Sequence, residues 1–147
     1  MTVPSDYLYA DRDFRSFMER AKEKTDLPTT NMAWGVVLGV FEVFRRRLDA
    51  VQRLAFASAL PPTLRAIFCE AGAPTKQPVP FANKDALTCE VQEFHRDHQF
   101  ASDTAIDDVA SALAEFVDLR RFRSVLDDIG PGAVDYWSAV FSDELIG

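Results

Sequence analysis

The chain has 147 residues, of which 48% are hydrophobic and 12% aromatic, and its formal net charge is −7 at pH 7. This composition excludes a disordered chain, and a chain near 150 residues buries roughly 70% of its unfolded surface, so it needs no disulfide or metal to hold a core. The negative charge argues against nucleic acid as a partner, and we predict one acidic domain over residues 1–147.

Charge is unevenly distributed along the chain. Residues 1–72 contain ten Lys or Arg against nine Asp or Glu, whereas residues 73–147 contain six against fourteen. The simpler interpretation is that the second half presents an acidic, solvated surface. The alternative interpretation is that a basic protein partner docks there.

The first residues and the cysteines predict a cytoplasmic protein. Residues 1–14 contain no apolar segment of the kind that a secretory signal needs. Cys69 and Cys89 have no cluster of histidines and cysteines around them, so we expect both to be small buried hydrophobic residues.

Four helices are predicted in the first half, after an irregular lead-in at residues 1–10. Apolar residues recur in them at intervals of three and four, and Asp, Thr or Pro stands at most of their starts. In the third helix we expect Val51, Leu54 and Ala57, with Phe56, to face inward. The predicted helices are Asp11–Lys24, Thr29–Leu48, Asp49–Leu60 and a fourth from Pro61-Pro62 to about Gly72.

The helix at Thr29–Leu48 is apolar on nearly every side, with Trp34 outside its main stripe. Its apolar run from Met32 to Phe44 would rise only ~20 Å, against roughly 30 Å of membrane hydrocarbon, so we predict a core helix. A strand of a parallel sheet is the alternative, but the length of the run and the arginines at its end favour a helix. We expect Gly35 and Gly39 to let another helix approach closely. The main stripe contains Ala33, Val36, Val37, Val40, Phe41, Phe44 and Leu48.

Four further helices are predicted after a Pro-rich connection at residues 73–82. No run of alternating apolar and polar residues predicts a strand, so the expected fold class is all-α. The predicted helices begin at Asn83 or Asp85, at Ser102 or Asp103, at Asp118 and at Gly130-Pro131-Gly132, and the first of them extends to about Gln99.

The two halves resemble each other in the order of their apolar residues and helix breaks. We therefore predict a compact pseudo-symmetric bundle of about eight helices, in which two similar four-helix units, about residues 11–72 and 83–142, share one core. When the halves are aligned, Val36 matches Val109 and Val40 matches Leu113, and beyond a short deletion in the second half Pro62 matches Pro131 and Phe68 matches Trp137.

A short motif ends the third helix and begins the fourth. Leu60, Pro61, Leu64 and Arg65 stand in a segment that resembles the Leu-Pro-x-x-Leu-Arg box of a bacterial helical family, domain of unknown function 2267. The resemblance covers about residues 11–140, and it implies a helical fold and a bacterial origin but no activity. The matching segment of the second half has no arginine, so no role of Arg65 extends to that half.

His95 and His98 are candidate metal ligands. A spacing of three residues on the predicted fifth helix would place both imidazoles on one face, where they could share a metal. A zinc site needs three or four ligands, and the further ligand would have to come from Glu90 or Glu93. The alternative is a pair of surface histidines near a helix C-terminus.

Arg45, Arg46 and Arg47 are candidates for an anion-binding site. Arginine binds phosphate well, but the chain contains no glycine-rich loop to hold one. The alternative is a set of helix-end cations that form salt bridges.

Two functional hypotheses follow from the sequence. The first is a non-catalytic helical module that binds a protein, either another protein or a second copy of itself. The second is a small enzyme or a metal- or ligand-binding protein that uses His95 and His98. Under the first hypothesis, which we favour, the chain has no cofactor, no nucleic-acid partner and no membrane contact.

Overall fold

The computed structural model describes the backbone of residues 1–145 and the side chains of residues 1–142. These residues form a compact helical arrangement without a strand, which confirms the predicted all-α class. They contain nine α-helices rather than about eight, because a short helix forms in the lead-in that we expected to be irregular. The helices are α1 (Ser5–Leu8), α2 (Ala10–Thr25), α3 (Thr30–Arg45), α4 (Ala50–Ser58), α5 (Pro62–Cys69), α6 (Lys84–Glu93), α7 (Ala105–Leu113), α8 (Leu119–Ile129) and α9 (Pro131–Tyr136), and 3₁₀ turns lie at Arg96–His98, Ala114–Phe116 and Ser138–Leu145.

Polar side chains determine where several helices begin. The Thr29 side chain accepts a hydrogen bond from a first-turn N–H of α3 at 3.2 Å. Asp49 and Gln52 form a capping box at the start of α4, in which each side chain accepts from the backbone N–H of the other. The Asn83 side chain caps α6 at 2.8 Å, so that helix begins there rather than at Asp85.

Helix α3 lies at the centre of the molecule and packs against α2, α6 and α7. Val36 and Val40 of α3, and Ile106 and Leu113 of α7, are at most 1% exposed, as predicted. Buried side chains from before and after the Pro-rich connection belong to one hydrophobic cluster. The two halves of the chain therefore share one core.

An aromatic cluster fills the core beside the C-terminal half of α3. The Tyr136 hydroxyl lies within it and donates a hydrogen bond of 2.6 Å to the backbone carbonyl of Val40, which ties α9 to α3. Burial raises the pKa of the Tyr136 phenol well above its usual value, so the hydroxyl keeps its proton. The other rings of the cluster are Phe41, Phe44, Phe56, Phe68, Phe122 and Trp137.

Gly39 lets α6 approach α3 closely, as predicted, whereas Gly35 has room for a side chain, so its predicted close approach is wrong. A Cβ atom at Gly39 would lie 2.9 Å from the side-chain amide nitrogen of Gln99 and 3.2 Å from Cγ1 of Val91 on α6. A Cβ atom at Gly35 would meet the backbone oxygen of His98 at 3.7 Å, which is ordinary contact. Helix α6 and the segment that follows it therefore pack directly on the α3 backbone.

The orientation of α4 differs from the prediction. Phe56 and Ala57 face the core, but Val51 is 76% exposed and Leu54 is 66% exposed, so their predicted burial is wrong. Phe56 packs against the rings of Phe44, Phe68, Phe122 and Trp137, which directs its side of the helix inward. Val51 and Leu54 stand on the other side of the helix and consequently face outward.

The helices of the second half follow those of the first in the same order and at nearly regular intervals. Helices α4 and α5 begin at Ala50 and Pro62, and α8 and α9 begin at Leu119 and Pro131, so the same interval separates the members of both pairs. Nearly equal intervals also separate the start of α2 from that of α6 and the start of α3 from that of α7. This order is what an internal repeat would give, and the superposition of the two units in space stays a prediction.

None of the helices in the described part of the chain is by itself long and apolar enough to cross a membrane. Helices α2 and α3 together pass a test of length and composition, but they meet at an angle of 89°.

Candidate functional site

A groove of about 620 Å³ runs between α2, the N-terminal part of α3 and α5. We call it the aromatic groove. Its apolar residues are Phe14, Met18, Trp34 and Ile67, and its polar residues are Arg15, Glu19, Thr30 and Asn31. This volume lies in the range of pockets that bind small molecules or the side chains of a partner.

Phe14 and Trp34 determine the shape of the aromatic groove. Their ring centroids lie 5.8 Å apart with planes at 88°, an edge-to-face arrangement that aromatic pairs favour. Both side chains are half-buried, so each packs on the core on one side and meets solvent on the other. The sequence contained one indication of this groove, the position of Trp34 outside the main apolar stripe of α3. We did not predict a groove from it.

Charged groups at the edge of the aromatic groove already have partners on their own helix. The Arg15 guanidinium lies 3.0 Å from the carboxylate of Asp11, and the Glu19 carboxylate lies 3.6 Å from Nζ of Lys22. These are exposed ion pairs, each worth about 0–1 kcal/mol, so they can exchange partners at little cost. The groove therefore offers aromatic and aliphatic surface inside an edge of both charges.

The structure places the arginine cluster in an ion-pair network. Arg45 Nη1 lies 2.6 Å from a Glu42 oxygen, and its Nε donates to the Phe68 backbone carbonyl at 3.1 Å. The guanidinium groups of Arg46 and Arg47 both reach Glu90 on α6, and the side chain of Arg47 is only 2% exposed. The salt bridges of the alternative interpretation are therefore present. Anion binding at Arg45, Arg46 and Arg47 stays a prediction, and an anion there would have to compete with the carboxylates of Glu42 and Glu90.

Glu90 binds Arg47 through both of its carboxylate oxygens. Nη1 of Arg47 donates to Oε1 at 2.9 Å, and Nη2 donates to Oε2. These hydrogen bonds lower the pKa of Glu90 below its usual value, against a smaller opposing effect of desolvation, and the charge of Arg46 adds to the lowering. The network therefore holds the C-terminal end of α3 against α6.

The two candidate metal ligands do not share a helix face. Helix α6 ends at Glu93, and His95 follows with a left-handed backbone at φ 47°, so the geometry expected from a continuous helix to about Gln99 is wrong. The His95 ring stacks on Phe94 with centroids 4.2 Å apart, and His95 and His98 are both exposed. In the described part of the chain, no group of three or more His, Cys, Asp or Glu could hold a metal ion. Metal binding by His95 and His98 stays a prediction without a third ligand.

Both cysteines are exposed, so their predicted burial is wrong. Cys69 is the last residue of α5, and Cys89 stands on α6 between inward-facing Thr88 and half-buried Glu90. The faces that α5 and α6 bury are occupied by larger apolar side chains, which leaves these two thiols outside the core.

The predicted family box joins α4 to α5. Leu60 and Leu64 are 2% and 1% exposed, and Pro61 precedes the first turn of α5, where no backbone N–H is needed. Arg65 returns to the end of α4, where its Nη2 donates to the Leu60 carbonyl at 2.9 Å and its Nε to the Ala57 carbonyl at 3.3 Å. The arginine therefore supplies a donor to the Leu60 carbonyl just beyond α4 and a second donor to the Ala57 carbonyl, which also accepts from the Leu60 N–H. This is a structural role, and it accounts for each residue of the box.

Comparison with known proteins gives one family match. A comparison with curated proteins gives no match. The model of one protein family matches residues 14–134, which is more than four-fifths of the chain and includes the box and helices of both halves. The chain therefore belongs to the family described as uncharacterized conserved protein (DUF2267).

Proposed function

We propose that the protein is a non-catalytic helical module that binds another protein through the aromatic groove. The observation behind this proposal is the groove itself, an apolar concavity of about 620 Å³ with two half-exposed rings. Surface residues of this kind are enriched where proteins meet, because aromatic side chains bury much area at low entropic cost.

The dimensions of the groove favour the apolar face of a partner helix. Three helices form its walls, and grooves between helices commonly accept side chains that repeat at three- and four-residue spacing on a partner helix. Arg15 and Glu19 at the edge supply one cation and one anion, which could pair with charged residues beside the apolar face of the partner. Trp34 and Phe14 would be the main contacts, since buried aromatic residues dominate the binding energy of such interfaces.

Site-specific photocrosslinking in cells tests this proposal. A photoreactive phenylalanine analogue replaces exposed Asn31 at the edge of the groove, and in a control protein it replaces exposed Asp128 on α8. Because the family resemblance implies a bacterial origin, the experiment is done in a bacterial cytoplasm. We expect position 31, and not position 128, to give an adduct with a protein of discrete mass.

A second variant distinguishes the groove from general stickiness. Trp34→Ala should abolish the adduct from position 31 while the circular dichroism spectrum and the cooperative melt are retained, since Trp34 lies outside the main core stripe. The proposal is wrong if adducts form equally from both positions, or if the adduct from position 31 persists in the folded Trp34→Ala protein.

A further inference from the structure

Helix α4 exposes a continuous apolar surface. Ala50, Val51, Leu54 and Ala55 stand on one side of this helix at helical spacing, and all four are exposed, Val51 by 76% and Leu54 by 66%. We call these four residues the α4 face. Single exposed apolar residues are common on protein surfaces, but larger contiguous apolar patches often mark sites of interaction.

A cavity of about 210 Å³ adjoins the α4 face. Its apolar lining includes Leu54 at the edge, Phe68 at the base and Ala73 in the segment after α5. Its charged residue is Arg53. The α4 face therefore combines projecting aliphatic side chains with an apolar recess that could receive one.

Arg53 lacks a carboxylate partner. Its Nη1 donates to the Gly72 carbonyl at 3.1 Å, its Nε is buried without a partner, and among the described side chains no carboxylate forms an ion pair with it. Burial, and then repulsion from Arg45, lowers the pKa of this guanidinium below its usual value. The exposed Glu70 lies in the sequence between Cys69 and Gly72, which both line the cavity, and within the described residues it too has no ion-pair partner. The segments that form the cavity thus carry an unpaired cation, Arg53, and an unpaired anion, Glu70.

We propose that two copies of the chain associate through the α4 face, with their α4 helices antiparallel about a two-fold axis. A two-fold interface brings identical patches together, so each patch must be complementary to itself. The α4 face meets this requirement, because Val51 or Leu54 of one copy can fill the recess of the other, and Arg53 of each copy can pair with Glu70 of the other.

The sequence pattern agrees with a second copy as the occupant. The helical spacing of Val51 and Leu54 predicts that they are buried, but a single copy leaves both in solvent. A dimer would bury them without changing the helix. A basic partner would require mainly acidic residues around the α4 face, and an anionic membrane would require mainly basic ones. The segments that form the cavity instead carry one unpaired residue of each sign, Arg53 and Glu70.

Sedimentation velocity over a range of concentrations tests the dimer. Because the face of a nine-residue helix is smaller than a standard interface, we expect a weak dimer with a Kd of about 10–100 μM. Leu54→Glu should weaken the dimer by at least about tenfold, since it places a charge in the contact. The matched control is Phe100→Glu, which changes a residue of 49% exposure in the segment after α6 and should leave the dimer unchanged.

Exchange of the two charges tests the two-fold pairing. Arg53→Glu and Glu70→Arg should each weaken the dimer alone, because each variant places like charges together. An equimolar mixture of the two variants should recover association, since in the mixed dimer the introduced glutamate faces the introduced arginine and the native Glu70 faces the native Arg53. This recovery would hold even if either substitution lowered stability through other contacts.

The inference is wrong if the wild-type chain stays monomeric at about 500 μM, well above the expected Kd. Equal association of Leu54→Glu and Phe100→Glu would also refute it, and so would a mixture of the charge variants that associates no better than either alone. The aromatic groove lies on other helices, so these outcomes leave the proposed binding of another protein untouched, and failure of the crosslinking experiment leaves the dimer untouched.

Discussion

Replacing Glu90 with Gln should destabilise the protein, because it removes the carboxylate that compensates the buried Arg47 guanidinium. Two hydrogen bonds join these side chains, and a bond to a charged group contributes about 1.5–3 kcal/mol. Gln retains one acceptor oxygen but replaces the other with an amide group that cannot accept. The Glu90 side chain is 34% exposed, so water offsets part of the loss, and we expect a decrease of about 2 kcal/mol in unfolding free energy at pH 7.

This difference should depend on pH in one direction. Hydrogen bonds from Arg47 lower the pKa of Glu90 from the usual value of 4.5, so its carboxylate stabilises the folded state at pH values above 4.5. The stabilisation is lost as the pH falls through the lowered pKa of the folded state. Gln does not titrate, so the difference in unfolding free energy between wild type and variant should shrink as the pH falls below 4.5.

Urea unfolding followed by circular dichroism measures both effects. The matched control is Glu93→Gln, three residues along the same helix, where the carboxylate is 63% exposed and pairs with Arg96 at 3.6 Å. An exposed pair of this kind contributes little, so the control should change the unfolding free energy by less than about 0.5 kcal/mol. The reasoning is refuted if the two variants are equally stable at pH 7, or if the loss in Glu90→Gln does not shrink as the pH falls below 4.5.

Four further substitutions test the packing, each by the midpoint of urea unfolding. Gly35→Ala should stabilise the protein by up to about 1 kcal/mol, because Ala favours a helix and its Cβ has room at this position. Gly39→Ala should be less stable than Gly35→Ala, because its Cβ would crowd Val91 of α6 and Gln99. Gly132→Ala should cost about 2 kcal/mol or more, because its Cβ would lie 2.4 Å from Cγ of Phe81, and an unchanged midpoint would contradict this contact. Arg65→Met should cost about 1–2 kcal/mol, because it keeps the apolar stem and removes the bonds to the end of α4; no loss would mean that these carbonyl groups find water instead.

The sequence by itself determined the helices and the central role of α3. An apolar run that is too short for a membrane, and is bounded by Thr29 and arginines, favours a buried helix over a strand. Local chemistry also determined the caps at Thr29 and Asp49, because a side chain of the right length can reach the first-turn N–H groups whatever the rest of the fold does. The bonds of Arg65 to the Ala57 and Leu60 carbonyl groups are local for a similar reason, since eight residues or fewer separate the partners.

Only the tertiary structure decided which apolar side chains of α4 are buried and where the charges find partners. Helical spacing shows which residues share a face of α4. Both sides of this helix are apolar, with Val51 and Leu54 on one side and Phe56 and Ala57 on the other, so the pattern alone could not show which side is buried. The choice was made by aromatic rings distant in sequence, which pack around Phe56. Arg47 likewise meets a carboxylate 43 residues away, a pairing that no local pattern encodes. Periodicity and capping act over a few residues, whereas burial and ion pairing depend on which distant segments the folded chain brings together.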